Sequence, residues 1–159
     1  MLFGGTGFES AIQDMPISIP ERFEIGTMNI SGIAGLNAAL SWIKEKGIST
    51  LYSEEQQKRK QLLELLNKYD FINVIGNEPT RKYVGIVSCT IDGISSDTSG
   101  QLFSERNIAV RTGLHCAPLA HRFLGTFPSG TIRFSVNHST NANDFAALEA
   151  ALDDIDDNL

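Results

Sequence analysis

The sequence predicts an α/β sandwich in which helices cover a small, partly antiparallel sheet. Short β-rich runs alternate with helical patterns in the second half of the chain, which follows two longer helical patterns. The chain has 159 residues, 42% hydrophobic and 20% charged, a composition typical of a globular protein. A chain of this length can bury a core without disulfides.

Two helices are predicted before the first strand. In the first, apolar residues recur at three- and four-residue spacing until Gly47, which follows two lysines and marks the end: Ile33, Leu36, Ala39, Leu40 and Ile43. The second has Ser53 as N-cap, Gln56 three residues later as a capping box, and four leucines as its buried stripe. The basic run 58–60 is interpreted as its solvated face.

The remaining elements follow from shorter patterns. Strands are predicted at 71–75, 84–91, 108–110 and 132–136, and helices at 96–106, 116–124 and around the apolar stripe of the last segment. Asp144 lies in the first turn of that last helix, where a carboxylate is favourable. The predicted order is therefore α-α-β-β-α-β-α-β-α.

The first 30 residues are rich in Gly and Pro and show little periodicity. Irregular chain of this length is uncommon in a compact domain unless it docks on something. The segment is therefore interpreted as cut from a larger protein. A frayed terminus is the alternative.

Charge and composition disfavour several classes of partner. Thirteen Lys and Arg against nineteen Asp and Glu give a net charge of −6, whereas nucleic acids and anionic membranes attract basic surfaces. The sequence contains no stretch of about 18 apolar residues and no signal-peptide pattern at its start. Two cysteines cannot form a disulfide framework, so a reduced, cytoplasmic chain is predicted.

The most informative segment for chemistry is Arg-Thr-Gly-Leu-His-Cys-Ala-Pro at 111–118. A strand ends, Gly113 permits a tight turn, and Cys116 follows near a predicted helix start. Such a position exposes a sulfur, with Arg111 and His115 nearby to favour the nucleophilic thiolate. A buried structural cysteine is the alternative for Cys116, and it is the preferred interpretation of Cys89.

Three weaker signals accompany this segment. A metal site built from His115, Cys116 and His121 lacks standard ligand spacing and is not favoured. Arg133 lies on a predicted strand, where an inward guanidinium requires an anion; a substrate carboxylate and a structural salt bridge are both open. Gly26 and Thr27 precede a helix and are able to contact a phosphate, although a turn with a capping Thr is the simpler interpretation.

Taken together, these stretches resemble the C-terminal part of class V aminotransferases, specifically the cysteine desulfurases. The resemblance runs through nearly the whole chain in four stretches: GGTGFES at 4–10, RFEIGTMNISGIAGLNAAL at 22–40, VRTGLHCAPLAHRFLGT at 110–126 and GTIRFSVNHSTNANDF at 130–145. The Arg-Thr-Gly-x-His-Cys arrangement is similar to the active-cysteine loop of the branch that also contains selenocysteine lyases. The resemblance implies that residues 33–159 form the small C-terminal domain of a fold-type I pyridoxal-phosphate-dependent transferase, and that 1–32 are a strap that connects it to the large domain.

The resemblance also implies roles for individual residues. Cys116 matches the nucleophile that takes sulfur from L-cysteine as a persulfide, and Arg133 matches the arginine that binds the substrate carboxylate. Arg111 matches an active-site arginine beside the cysteine loop. Thr27, with Gly26, matches the residue that reaches the cofactor phosphate of the other subunit in a homodimer. The implied cofactor is pyridoxal phosphate, and a sulfur-acceptor protein is a further expected partner.

One feature of the family is missing. Its cofactor is held by a Schiff-base lysine that follows a His, and none of the six lysines of this chain does so: Lys44, Lys46, Lys58, Lys60, Lys68 and Lys82. The chain is therefore expected to be a C-terminal fragment, catalytically incomplete alone, with the lysine upstream of it. Leu114 also replaces a second His seen in many relatives.

Two other functions remain open at this point. One is another class V enzyme, such as a selenocysteine lyase, on the same scaffold. The other is a non-enzymatic module that carries sulfur or binds a partner through Cys116.

Overall fold

The computed structural model describes residues 7, 11, 13–24 and 26–158 of the chain. They contain five helices and four strands in the order predicted from the sequence. The helices are α1 (Ile30–Lys46), α2 (Ile48–Leu66), α3 (Ser96–Glu105), α4 (Pro118–Phe123) and α5 (Ala142–Asp156). The strands are β1 (Ile72–Ile75), β2 (Ile86–Ile91), β3 (Arg111–Gly113) and β4 (Thr131–Ser135).

The chain divides into two compact units, 1–47 and 48–159. The first contains α1, whose N-cap Asn29 accepts a hydrogen bond from the Gly32 backbone N–H at 3.0 Å. The helix ends at the predicted position, where Gly47 has a φ of 84° that favours glycine. The assignment of 1–32 as a strap stays a prediction, and much of its GGTGFES stretch lies outside the described residues.

The second unit contains a four-stranded sheet in the order β1-β2-β4-β3. All three strand pairings are antiparallel. The prediction of helices packed on a small sheet is confirmed. The sequence predicted only partly antiparallel pairing, because the crossover helices between the last strands also suit parallel neighbours. β4 instead lies between β2 and β3 and runs opposite to both.

The core lies on one face of this sheet. Val87, Cys89, Ile132 and Phe134 alternate along β2 and β4 and are buried. They pack with the leucine stripe of α2, with Phe103 of α3 and with four residues of α5: Leu148, Ala151, Leu152 and Ile155. The sheet is thereby covered on its apolar face, and its polar face carries the residues of chemical interest.

Two predictions about α2 are wrong. The helix begins at Ile48, so Ser53 lies inside it, and Gln56 donates to the Tyr83 carbonyl at 2.7 Å instead of capping. Arg59 is buried and not solvated, because its guanidinium donates to Asn77 Oδ1 at 2.9 Å and lies 4.3 Å from the centre of the Tyr83 ring. These contacts fix the loop between β1 and β2 on the helix.

The strand predicted at 108–110 is displaced by three residues. The Ile108 backbone N–H bonds to the Phe103 carbonyl and so completes the end of α3. β3 begins at Arg111, which puts this arginine into the sheet and not into the loop that follows it.

Candidate active site

Two arginines face each other on the polar side of the sheet. Arg133 of β4 lies directly opposite Arg111 of β3 and, on its other side, opposite Ser88 of β2. Residues paired across antiparallel strands project to the same face, so both guanidinium groups lie on the side away from the core. Like charges directly opposite each other destabilise a sheet, and the pair therefore favours a bound anion.

No acidic side chain neutralises this pair within 13–24 and 26–158. Arg111 and Arg133 take part in none of the ion pairs formed there. Arg133 is half-buried, and its Nε is buried without a hydrogen-bond partner in the same part of the chain. A buried donor without a partner is costly, and the planar guanidinium suits a carboxylate. Of the two alternatives left by the sequence, these contacts favour a ligand over a structural salt bridge.

Cys116 lies beside the arginine pair. β3 ends at Gly113, and three residues later the thiol is exposed, as the sequence predicted. Arg111 Nη2 lies 3.8 Å from Cys116 Sγ and donates a hydrogen bond to the sulfur. The loop therefore places an accessible thiol next to the two arginines of the sheet.

The backbone of this loop is strained at His115 and Cys116. His115 and Cys116 have φ values of 48° and 60°, in the left-handed region that residues with a Cβ rarely adopt. Such a conformation costs about 1–2 kcal/mol per residue, so other contacts must hold it. At the start of the loop, Gly113 and Gly130 lie so close together that a Cβ on Gly130 would overlap the Gly113 backbone.

A side-chain contact joins His115 to strand β4. His115 Nε2 lies 3.1 Å from Oγ1 of the buried Thr131, while its Nδ1 is buried without a partner among the described residues. The His121 ring lies 5.8 Å away and bonds through Nδ1 to Thr126 Oγ1 at 2.7 Å. Thr131 was missed by sequence reasoning, because a threonine at a strand start carries no functional pattern.

The surroundings of His115 lower its pKa. Burial is the largest cause, followed by electrostatic interactions with Arg133, His121 and Arg111, while a hydrogen bond to the Thr131 backbone acts in the opposite direction. The imidazole is therefore neutral at neutral pH.

This pKa gives a testable pH dependence. Because the unfolded chain binds a proton at His115 that the folded chain binds more weakly, the free energy of unfolding decreases as pH falls below about 6.5. Denaturant titrations between neutral and mildly acidic pH should show this decrease, and H115Q should show less of it. An equal decrease in H115Q would contradict the lowered pKa of His115.

Cys116 and Cys89 are expected to differ strongly in reactivity. Cys89 is fully buried in β2, and burial raises its pKa to about 12, whereas Cys116 is exposed. Brief treatment with iodoacetamide followed by peptide mass mapping should label Cys116 well before Cys89. Equal labelling of the native chain would contradict the burial of Cys89.

The other predicted site residues have less support. No group of three or more His, Cys, Asp or Glu side chains able to hold a metal ion occurs in the described part of the chain. Thr27 is exposed and Gly26 has a φ of 73°, both in the first compact unit, just before α1. Their contact with a cofactor phosphate stays a prediction. Among the described helices, none is long and apolar enough to cross a membrane.

Comparisons with known proteins show the family to which the chain belongs. The sequence model of the family "Aminotransferase class-V" matches residues 1–148. The chain is 33% identical over 84% of its length to a cysteine desulfurase of Synechococcus elongatus, of which it covers 21%. It is 29% identical over the same share to a probable cysteine desulfurase of Vibrio cholerae, of which it covers 32%.

Solved structures give the same result. The chain superposes with a TM-score of 0.78 and 26% identity on cysteine desulfurases of Thermococcus onnurineus and Escherichia coli. In both cases 99% of this chain is aligned with 39% of the other. The chain thus spans from about a fifth to two fifths of the length of these relatives. Its fold is that of a fragment of a fold-type I pyridoxal-phosphate enzyme, and the chain belongs to the class V aminotransferase family.

Proposed function

We propose that this chain supplies the nucleophile and the substrate-carboxylate site of a cysteine desulfurase. The observation that carries the proposal is the exposed Cys116 thiol 3.8 Å from Arg111, which lies opposite Arg133 on β4. The complete enzyme means here this chain together with the remainder of the relatives' length.

Arg133 binds the carboxylate of L-cysteine in this proposal. Its buried, unpartnered Nε and the absence of a nearby acidic partner in 13–24 and 26–158 support that role. Arg111 adds a second positive charge and holds the sulfur of Cys116 by its hydrogen bond. A carboxylate bound at the Arg111–Arg133 pair orients the remainder of the amino acid toward the loop that carries Cys116.

Cys116 then takes the sulfur. Its thiolate attacks the sulfur of L-cysteine, an S–S bond forms, and the substrate Cβ–S bond breaks with its electron pair left on carbon. The carbon gains a proton, and the products are L-alanine and a persulfide on Cys116. Because Cys116 is exposed, its persulfide is accessible to a sulfur acceptor.

Pyridoxal phosphate is the cofactor of the family, and a solved structure of C-DES, which aligns with this chain at 25% identity, holds glycine linked to that cofactor. When bound, it supplies an electron sink for the bond cleavage. The two arginines fit the part of such a site that binds the substrate. Arg133 lies opposite Arg111, and its buried Nε has no hydrogen-bond partner among the described residues. The strands that form the polar face contain no lysine, so the lysine that holds the cofactor is expected from the remainder of the complete enzyme.

Product analysis of the complete enzyme tests the proposal. Incubation with L-cysteine should yield L-alanine and sulfane sulfur in equal amounts, whereas this chain alone should yield neither. Turnover of selenocysteine but not of cysteine would instead support a selenocysteine lyase. A homodimer that contributes Thr27 across its interface and a sulfur-acceptor protein are the partners expected in the same proposal.

A further inference from the structure

His115 is the only residue of the cysteine loop (114–117, between β3 and α4), all of which the structure describes, with a side-chain hydrogen bond to strand β4. The bond joins His115 Nε2 to Thr131 Oγ1 at 3.1 Å, and Thr131 is 2% exposed. Thr131 also pairs with Gly113 across the two strands. The hydrogen bond from His115 to Thr131 therefore ties the loop back to β4 only two residues after that pair. A buried side-chain anchor of this kind restricts the backbone at the two residues that follow Leu114.

The restricted residues are the ones that set the position of the nucleophile. His115 and Cys116 are both left-handed, and neither is glycine. Without a contact that compensates for its cost, this backbone would relax toward ordinary φ values. Relaxation at Cys116 would change the direction of its side chain and lengthen the contact of Sγ with Arg111.

We propose that His115 is a positioning residue for Cys116, which acts through its Nε2 hydrogen bond to Thr131 and so keeps the thiol beside Arg111. The inference rests on the proposed function in one respect, namely that Cys116 is the sulfur nucleophile. It concerns a different property, however, namely the position of the Cys116 sulfur beside Arg111 and not the molecule that this sulfur attacks.

The position of the sulfur can be measured without turnover. Iodoacetate carries a carboxylate and iodoacetamide does not, so the ratio of their alkylation rates at Cys116 reports the positive field that the thiol experiences. The native chain should prefer iodoacetate. Cys89, buried in the same domain, shows in the same mass spectra whether each variant is folded.

Two variants of Thr131 separate the hydroxyl from the shape of the side chain. T131V keeps the side-chain volume but removes Oγ1. We expect the iodoacetate preference to fall about fivefold, because the Cys116 thiolate loses its contact with the Arg111 charge near water, where such a contact is weak. T131S keeps the hydroxyl and should retain the preference. An unchanged preference in T131V, or an equal loss in T131S, would overturn the proposal.

Two variants of His115 test the same bond from the other side. The amide of Gln reaches the position of Nε2 and that of Asn the position of Nδ1, so H115Q should retain the preference and H115N should lose it. If T131V exposes Cys89 and is therefore unfolded, this pair carries the test. The opposite order, or equal behaviour of Gln and Asn, would contradict an anchor at Nε2.

A matched control lies in the neighbouring histidine–threonine pair. T126V removes the hydroxyl that bonds to His121 Nδ1 and leaves the His115–Thr131 bond in place. We expect it to keep the iodoacetate preference, and a loss as large as that of T131V would overturn the specific role of His115. If the preference follows the prediction but the complete enzyme forms no persulfide on Cys116, the proposed function fails and the positioning role stands.

Discussion

Replacement of Cys116 by Ser should reduce L-cysteine turnover by the complete enzyme roughly a thousandfold or more, because a hydroxyl is a poor nucleophile toward sulfur. The hydroxyl still accepts a hydrogen bond from Arg111, so substrate binding should change little. Steady-state formation of L-alanine measures the loss, which should appear in kcat. The absorption spectrum of the bound cofactor should persist.

Cys89 provides the matched control for this variant. C89A removes the other thiol of the chain from the buried face of β2 and costs stability, but turnover should stay within about twofold because this thiol faces the core. If C116S turns over L-cysteine at a rate near that of the native enzyme, Cys116 is not the nucleophile.

Replacement of Arg133 by Ala should weaken L-cysteine binding and leave much of kcat at saturating substrate. A partly desolvated, charge-assisted contact to a carboxylate is worth roughly 2–4 kcal/mol, which corresponds to an increase in KM of about 30- to 700-fold. R133K keeps the charge but loses the bidentate guanidinium, so its KM should lie between those of the native enzyme and R133A. Steady-state kinetics over a wide range of L-cysteine concentration measure the effect.

A distant arginine controls for the loss of charge. Arg81 is exposed in the loop between β1 and β2 and pairs with Glu78 at 2.7 Å. R81A removes the same charge and should leave KM within about twofold, since exposed ion pairs contribute little. A KM for R133A that matches R81A would show that Arg133 does not bind the carboxylate.

Much of the fold follows from patterns that the sequence displays openly. The period of the leucines in α2, the apolar stripe of α5 with Asp144 in its first turn, and Gly47 after α1 all correspond to local physical rules. The element order is correct because each of these signals is local. Long-range pairing is not local, which explains why the antiparallel register of β4 between β2 and β3 required the structure.

The errors have the same origin. Arg59 is part of a basic run that suggests a solvated face, yet partners at Asn77 and Tyr83, distant in sequence, bury it. Arg111 was placed near the loop, and only the register shows that it lies opposite Arg133. The two left-handed residues and the Thr131 anchor are tertiary features without a signature in the residue order.

The central claim is that sulfur from L-cysteine is transferred to Cys116. Mass spectrometry of the complete enzyme, incubated briefly with L-cysteine and then alkylated, tests it most directly. The account predicts one additional sulfur atom on the peptide that contains Cys116, removable by a thiol reductant, and none on the peptide that contains Cys89. L-alanine formation without an additional sulfur atom on Cys116, or with the sulfur on another residue, would contradict it.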